Sequence, residues 1–269
     1  MKFQKSSLII ISVILFVFTG TVFSQATDRN YLGISFGGSD FHVLDKQASP
    51  LIFNSIGIAP SLQFMYNGEN SSHYAEASYY PDNLGTSVNN FSIKSRRGRL
   101  RYAYLHSVTN FEFWGNKIKF YLGGSINSYL CHSDYNYYSQ PTDRNDFAYT
   151  SWYWSSSLDL CARLEYYPSG REFFSFQFFV PVVSNISRPK YSPSGDVNYS
   201  DNDRKFKMFG DTKFISDNFS VNALLIYQRP IFGQFNLQLS YEFYYSSYNI
   251  PRNVNMYMNN LRAGLFFCF

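Results

Sequence analysis

The sequence predicts an all-β chain: a transmembrane, antiparallel, up-and-down β-barrel of about ten strands, with short periplasmic turns and long extracellular loops. Three observations carry that expectation. Hydrophobic residues make up 45% of the chain while the mean hydropathy is −0.25, so apolar side chains must be interleaved with polar ones. From residue 30 onward the interleaving has a period of two, the signature of a strand whose two faces meet different surroundings. The links between these segments then alternate between tight and long, which a soluble sandwich has no reason to do and a membrane barrel does.

Composition narrows the function classes. Charged residues are only 16% of the 269 and aromatic ones 20%, against about a quarter charged in an ordinary soluble domain. The aromatic content excludes intrinsic disorder. The one continuous apolar run, from Leu8 to Phe18, is shorter than the ~20 residues a membrane helix needs. It follows Lys2 and Lys5 and precedes Val22-Phe23-Ser24, the layout of a secretory signal peptide with cleavage expected after Ser24. The expected organisation is a signal peptide over 1–24 and one barrel domain over 25–269. Losing 1–24 removes two lysines and no acid, so the formal charge falls from +4 to +2, and nucleic acid has no electrostatic purchase. Cys131, Cys161 and Cys268 are odd in number and far apart, which is no disulfide framework. Without CxxC, HExxH, GxGxxG or a P-loop, neither a metal nor a cofactor is expected.

Ten two-faced segments are expected, at 30–38, 56–67, 72–81, 97–110, 117–132, 150–166, 172–187, 218–228, 234–248 and 256–269, with eight or twelve strands as alternatives. In the fifth, Ile118, Phe120, Leu122, Ile126 and Leu130 alternate with Lys117, Lys119, Ser125 and Asn127. In the sixth, Trp152, Trp154, Leu158, Leu160 and Leu164 oppose Ser155, Ser157, Asp159, Arg163 and Glu165, charges that no sandwich core would accept. Phe174, Phe176 and Phe178 alternate with Ser175 and Gln177 in the seventh; Phe235, Leu237, Leu239 and Tyr241 alternate with Asn236, Gln238 and Ser240 in the ninth. Tight turns are expected at 68–71, 114–116, 168–170 and 230–233. Long links fall at 39–55, 82–96, 133–149, 188–217 and 249–255. Pro60 and Pro181 each delete a ladder hydrogen bond and are expected toward the outer ends of their strands. The tyrosines Tyr135, Tyr137, Tyr138, Tyr244, Tyr245 and Tyr248 suit an outer aromatic girdle and loop packing.

The last segment brings in a family resemblance. Leu261, Ala263, Leu265, Phe267 and Phe269 form an alternating apolar face ending on a terminal phenylalanine. This resembles the last-strand signal of Gram-negative outer-membrane β-barrel proteins. The resemblance implies Leu265, Phe267 and Phe269 as an assembly signal read by the barrel assembly machinery. It also implies residence in the outer membrane. The chain is expected to reach it by export through the cleaved signal peptide and to be a monomer among outer-membrane lipids, with lipopolysaccharide as a candidate partner. The resemblance implies no activity.

Alternation places Glu76, Arg99, Arg101, Lys117, Lys119, Asp159, Arg163, Glu165, Glu242 and Arg262 inside the barrel. Side chains nearly fill so narrow a lumen, so a salt-bridged plug is expected, with a thin conduit for small solutes as the transport alternative. Arg96, Arg97, Arg99 and Arg101 are the densest charge cluster; its inward members are expected in the plug and the others on a solvated rim, with contact to lipopolysaccharide phosphates, which guanidinium forks suit, as the alternative. The enzyme alternative is a rim hydrolase. Outer-membrane phospholipases use a His-x-Ser pair on one strand face, but His132 and Ser133 are adjacent and fall on opposite faces. Ten-stranded outer-membrane proteases resemble the chain in strand count and in pairing rim acids with a histidine. Here His132 and Asp134 share a face, with Asp201 or Asp203 as acids from the long loop. The leading expectation is a non-enzymatic surface or structural barrel whose loops contact the envelope or external ligands.

Overall fold

The computed structural model describes residues 29–46, 48–87, 91–137, 147–169, 172–189, 209–250 and 252–269. The expected signal peptide and the rim candidates Asp201 and Asp203 lie outside them. Twelve segments follow one another: β1 (Arg29–Asp45), β2 (Ile52–Ile58), β3 (Ser61–Asn67), β4 (Ser71–Gly85), β5 (Phe91–Phe113), β6 (Asn116–Tyr137), β7 (Phe147–Tyr167), β8 (Phe173–Ser187), β9 (Asp211–Phe214), β10 (Asn218–Phe232), β11 (Phe235–Tyr248) and β12 (Val254–Cys268). All pairings are antiparallel. β2 and β3 both pair β1 in one continuing register, and β9 and β10 both pair β8, so each of these couples is a single interrupted stave. β12 pairs β1 from Tyr31↔Cys268 to Asp45↔Val254, which closes the sheet into a ring of about ten staves.

Apart from β8, the staves present one parity inward over most of their length. The inward residues are odd-numbered on β1, β2, β3, β5, β6 and β7, and even-numbered on β4, β10, β11 and β12. Ile126, Leu160 and Leu261 of the expected outward rows are each more than half exposed, and Ile34, Phe36 and Leu100 continue that face on β1 and β5; Trp152, expected in the outward row of its segment, is buried. What changes along the axis is which face is apolar. In the lower part of β1, Leu32, Ile34 and Phe36 point out while Gly33, Ser35 and Gly37 point in. In its upper part Phe41 and Val43 point in while Asp40 and His42 point out. The same inversion places Leu84 and Ile93 inside, with Asn83, Lys94 and Arg96 outside.

That inversion corrects the loops. The links expected at 39–55, 82–96, 133–149, 188–217 and 249–255 shrink to 46–51, 86–90, 138–146, 188–210 and 249–253, because strand pairing continues above the level at which the outer face stops being apolar. It also corrects the tyrosines. Tyr245 faces outward as expected, but Tyr244 and Tyr248 are buried inside among Phe41, Phe53 and Met256. The prolines differ too. Pro60 lies midway along its stave, where Tyr79 N–H donates to its carbonyl at 3.1 Å and the reciprocal bond is lost for want of a proline N–H. Pro81 lies across the same seam, and between this point and the Asn54↔Gly85 pair the β2–β4 ladder is interrupted. Pro181 sits opposite Asp159 at a register shift, beyond which the inward parity of β8 passes from odd to even.

Candidate functional site

The interior is stacked in three layers. At the lower end Tyr31, Met65, Leu105, Tyr121, Phe173 and Phe266 belong to one apolar cluster. At the upper end Phe41, Phe53, Leu84, Ile93, Tyr153 and Met256 belong to another, onto which Ala48 and Leu51 of the first loop pack. Between them lies a network of buried charges. These layers come from strands that are far apart in sequence, so only barrel closure assembles them.

Glu242 on β11 is the hub of the middle layer. It pairs with Arg99, with Arg262 at 2.5 Å and with Arg101 at 3.4 Å. The amides of Asn222 and Asn260 also donate to it, at 2.7 and 2.9 Å. Glu76 on β4 accepts from Arg262 at 2.7 Å, from the Tyr74 hydroxyl at 2.8 Å and from Ser78, and stands 3.8 Å from Arg101. Two carboxylates thus face three guanidiniums. Aromatic faces take up part of the excess: Arg99 lies 5.0 Å from the Tyr244 ring centre and Arg101 lies 4.3 Å from that of Phe179. Beside the network Gln238 of β11 reaches across the lumen to Gln63 of β3 at 2.7 Å.

The other expected lumen charges spread from this hub toward the lower turns. Arg163 pairs with Glu165 at 3.2 Å and donates to Ser72 at 2.5 Å, and Tyr167 donates to Glu165. Lys119 caps the Gly68 carbonyl of the β3–β4 turn at 3.0 Å. Asp159 is solvated by the hydroxyls of Ser157 and Ser125, at 2.6 and 3.1 Å. Lys117 is a correction: its parity is right but its depth is wrong, because it lies at the lower hairpin beside Asn116 and is exposed to solvent.

Two interior pairs were not legible in the sequence. Arg97 is fully buried, bonded through Nε to Asp82 at 2.9 Å and stacked 3.6 Å from the Phe41 ring centre. Asp82 falls within an expected loop, so its parity carried no weight there. Likewise Asp45 meets Arg188 at 2.7 Å, and Arg188 also donates to the Arg252 carbonyl at 2.8 Å, tying three strand ends together at the mouth. Of the four clustered arginines only Arg96 faces outward; Arg97, Arg99 and Arg101 belong to the interior.

Of the rim candidates, His132 and Asp134 are among the described residues. His132 and Asp134 share a face, as expected, but it is the outer wall, with Asp134 accepting from the Thr150 hydroxyl at 2.8 Å. Ser133 turns inward toward Ser95, at 3.4 Å. Among the described residues no group of three or more His, Cys, Asp and Glu side chains is arranged to hold a metal ion. Leu265, Phe267 and Phe269 all face outward, and Phe269 bonds through its backbone N–H to Asn30 at 3.0 Å and stacks on Phe267.

No family model and no curated protein matches the sequence. Solved structures do match its backbone. The outer membrane protease OmpT from Escherichia coli aligns over 92% of this chain and 99% of its own, with a TM-score of 0.51 and 10% identity. The chain has the fold of an outer-membrane β-barrel. The translocator domain of the autotransporter NalP from Neisseria meningitidis aligns over 98% of this chain and 94% of its own, at TM-score 0.39 and 13% identity. The attachment invasion locus protein Ail of Yersinia pestis aligns over 88% and 99%, at TM-score 0.34 and 11% identity. At such identities the likeness concerns the path of the backbone, and the residues of the lumen have to be argued from their own contacts.

Proposed function

We propose that this chain is a closed outer-membrane barrel with a non-enzymatic surface or structural role, delivered by a cleaved signal peptide, and that its lumen conducts no solutes. The observation that carries the reading is the stacking of the interior. Apolar clusters at the upper and lower ends of the lumen flank a charged network in which two carboxylates and three guanidiniums pair with one another and lie against aromatic rings. A conducting pore needs the opposite arrangement, with polar groups lining a continuous path that water can fill.

Residence in the membrane is supported by the outer wall. Soluble monomers rarely expose contiguous apolar patches above a few hundred Å². Here the belt runs around the ring through Leu32, Leu62, Leu100, Leu160, Leu225 and Leu261. Above it the alternation inverts to apolar inside and polar outside, as expected where the surroundings change from hydrocarbon to water. Planar-bilayer recording of the refolded protein tests the reading: no discrete current steps are expected, and ohmic steps would refute a closed lumen. Lipid- and peptide-hydrolysis assays on wild type and His132→Ala address the enzyme alternative. Activity in wild type that disappears in the variant would overturn the non-enzymatic role.

A further inference from the structure

We infer that the outward face of β4 and β5 is a binding site for one phosphorylated, multiply acylated glycolipid of the surrounding leaflet, an inference that rests on the outer-membrane reading above. A trough of about 540 Å³ opens there on the outer wall. Its floor is Ala75 and Ala77 of β4, and its sides are Leu62 and Phe64 of β3 and Leu100 and Tyr102 of β5. The concavity is written in side-chain size: two alanines lie in register between four large residues. On the convex wall of a barrel such a dent leaves room for an extended acyl chain, whose contacts a flat belt could not provide.

The same strand face then changes chemistry in the right order. Above Leu100 comes Gly98, which has no side chain and adjoins Tyr79, and above that Arg96 and Lys94. Both cations are exposed, and among the described residues neither has an ion pair. Their neighbours on β4, Pro81 and Asn83, are neutral. On β6, His132 lies in register with Arg96, and Asp134 lies in register with Lys94 while accepting from Thr150. Arg96 is four residues above Leu100, roughly 14 Å along the strand. Acyl chain and anionic head group of a single lipid span that distance, with guanidinium and ammonium meeting the phosphates. A second copy packed face to face on this wall would bring Lys94 and Arg96 against their own counterparts, which favours the lipid as occupant.

The test uses the full chain refolded into vesicles of phosphatidylethanolamine doped with either bisphosphorylated hexa-acyl lipid A or its dephosphorylated form. After detergent extraction, lipid retained per protein is counted by native mass spectrometry. Wild type should keep one bisphosphorylated lipid and lose the dephosphorylated one. Lys94→Gln with Arg96→Gln, and separately Ala77→Trp, should each cut retention about tenfold or more, the scale of losing charge-assisted bonds or the chain's seat. Heat-modifiable mobility on gels reports whether each variant is folded. If one variant does not fold, the comparison of the two lipids on wild type still decides. Equal retention of both lipids by wild type would overturn the inference, as would unchanged retention in both folded variants or sedimentation showing the face covered by a second copy. Failure of wild type to insert into any vesicle would instead refute the outer-membrane reading itself.

Discussion

Replacing Glu242 by glutamine removes the carboxylate that Arg99, Arg101 and Arg262 share while keeping the size of the side chain and one acceptor oxygen, which serves only one of the two amides, Asn222 and Asn260, that now donate to it. Glu76 is then the one carboxylate left to those three guanidiniums, which stay in a layer flanked above and below by apolar clusters. Removing one member of a buried ion pair typically costs about 3–5 kcal/mol, because the partner's desolvation is no longer offset. In the unfolding equilibrium that is roughly 10²- to 10⁴-fold. The stranding of charge, and not lost shape, is the proposed cause. Adding Arg99→Met to Glu242→Gln should therefore recover part of the loss, since an apolar side chain can pack beside Tyr129 and Tyr244 where the guanidinium now lies. Urea unfolding in vesicles, followed by gel mobility and tryptophan emission, measures all four corners of the cycle. The reasoning is refuted if Glu242→Gln costs less than about 1 kcal/mol, or if the double variant loses the sum of the two single losses.

Arginine at outward Leu160 should hinder insertion by about 2–4 kcal/mol, whereas arginine at inward Ser157 meets Asp159, so its electrostatic penalty is smaller; equal yields of folded protein from the two would contradict the facing of β7. Phe269→Ala should slow assembly in cells yet leave the urea midpoint of the assembled protein nearly unchanged, because that ring is exposed and stacks on Phe267; unaltered insertion kinetics would remove the case for a terminal assembly signal. Hydrogen exchange should be fastest, among the described strand residues, along the interrupted β2–β4 seam at 55–58 and 81–84, where Pro60 and Pro81 withhold donors; uniform protection across the ring would contradict this.

Much of the fold was legible because a membrane barrel writes its surroundings into residue parity. Leu122, Leu160 and Leu265 had to face outward, and Glu76, Arg163 and Glu242 inward, since on a strand the two faces are separated by a single residue step. The four tight turns and the closing of the last strand on the first also follow from the pattern of links. Local sequence could not reveal where the outside stops being apolar. Above that level Phe41, Leu84 and Ile93 take the inward places, the parity signal reverses, and strand reads as loop; Asp45 and Asp82 were lost to the interior for that reason, and Tyr244 and Tyr248 were assigned to the wrong side. Nor could it reveal partners. The sequence by itself determined that charges line the inside of a closed sheet. Which carboxylate meets which guanidinium was decided by tertiary structure alone, because Glu242 and Arg99 are 143 residues apart, and register and closure around the whole ring set their distance.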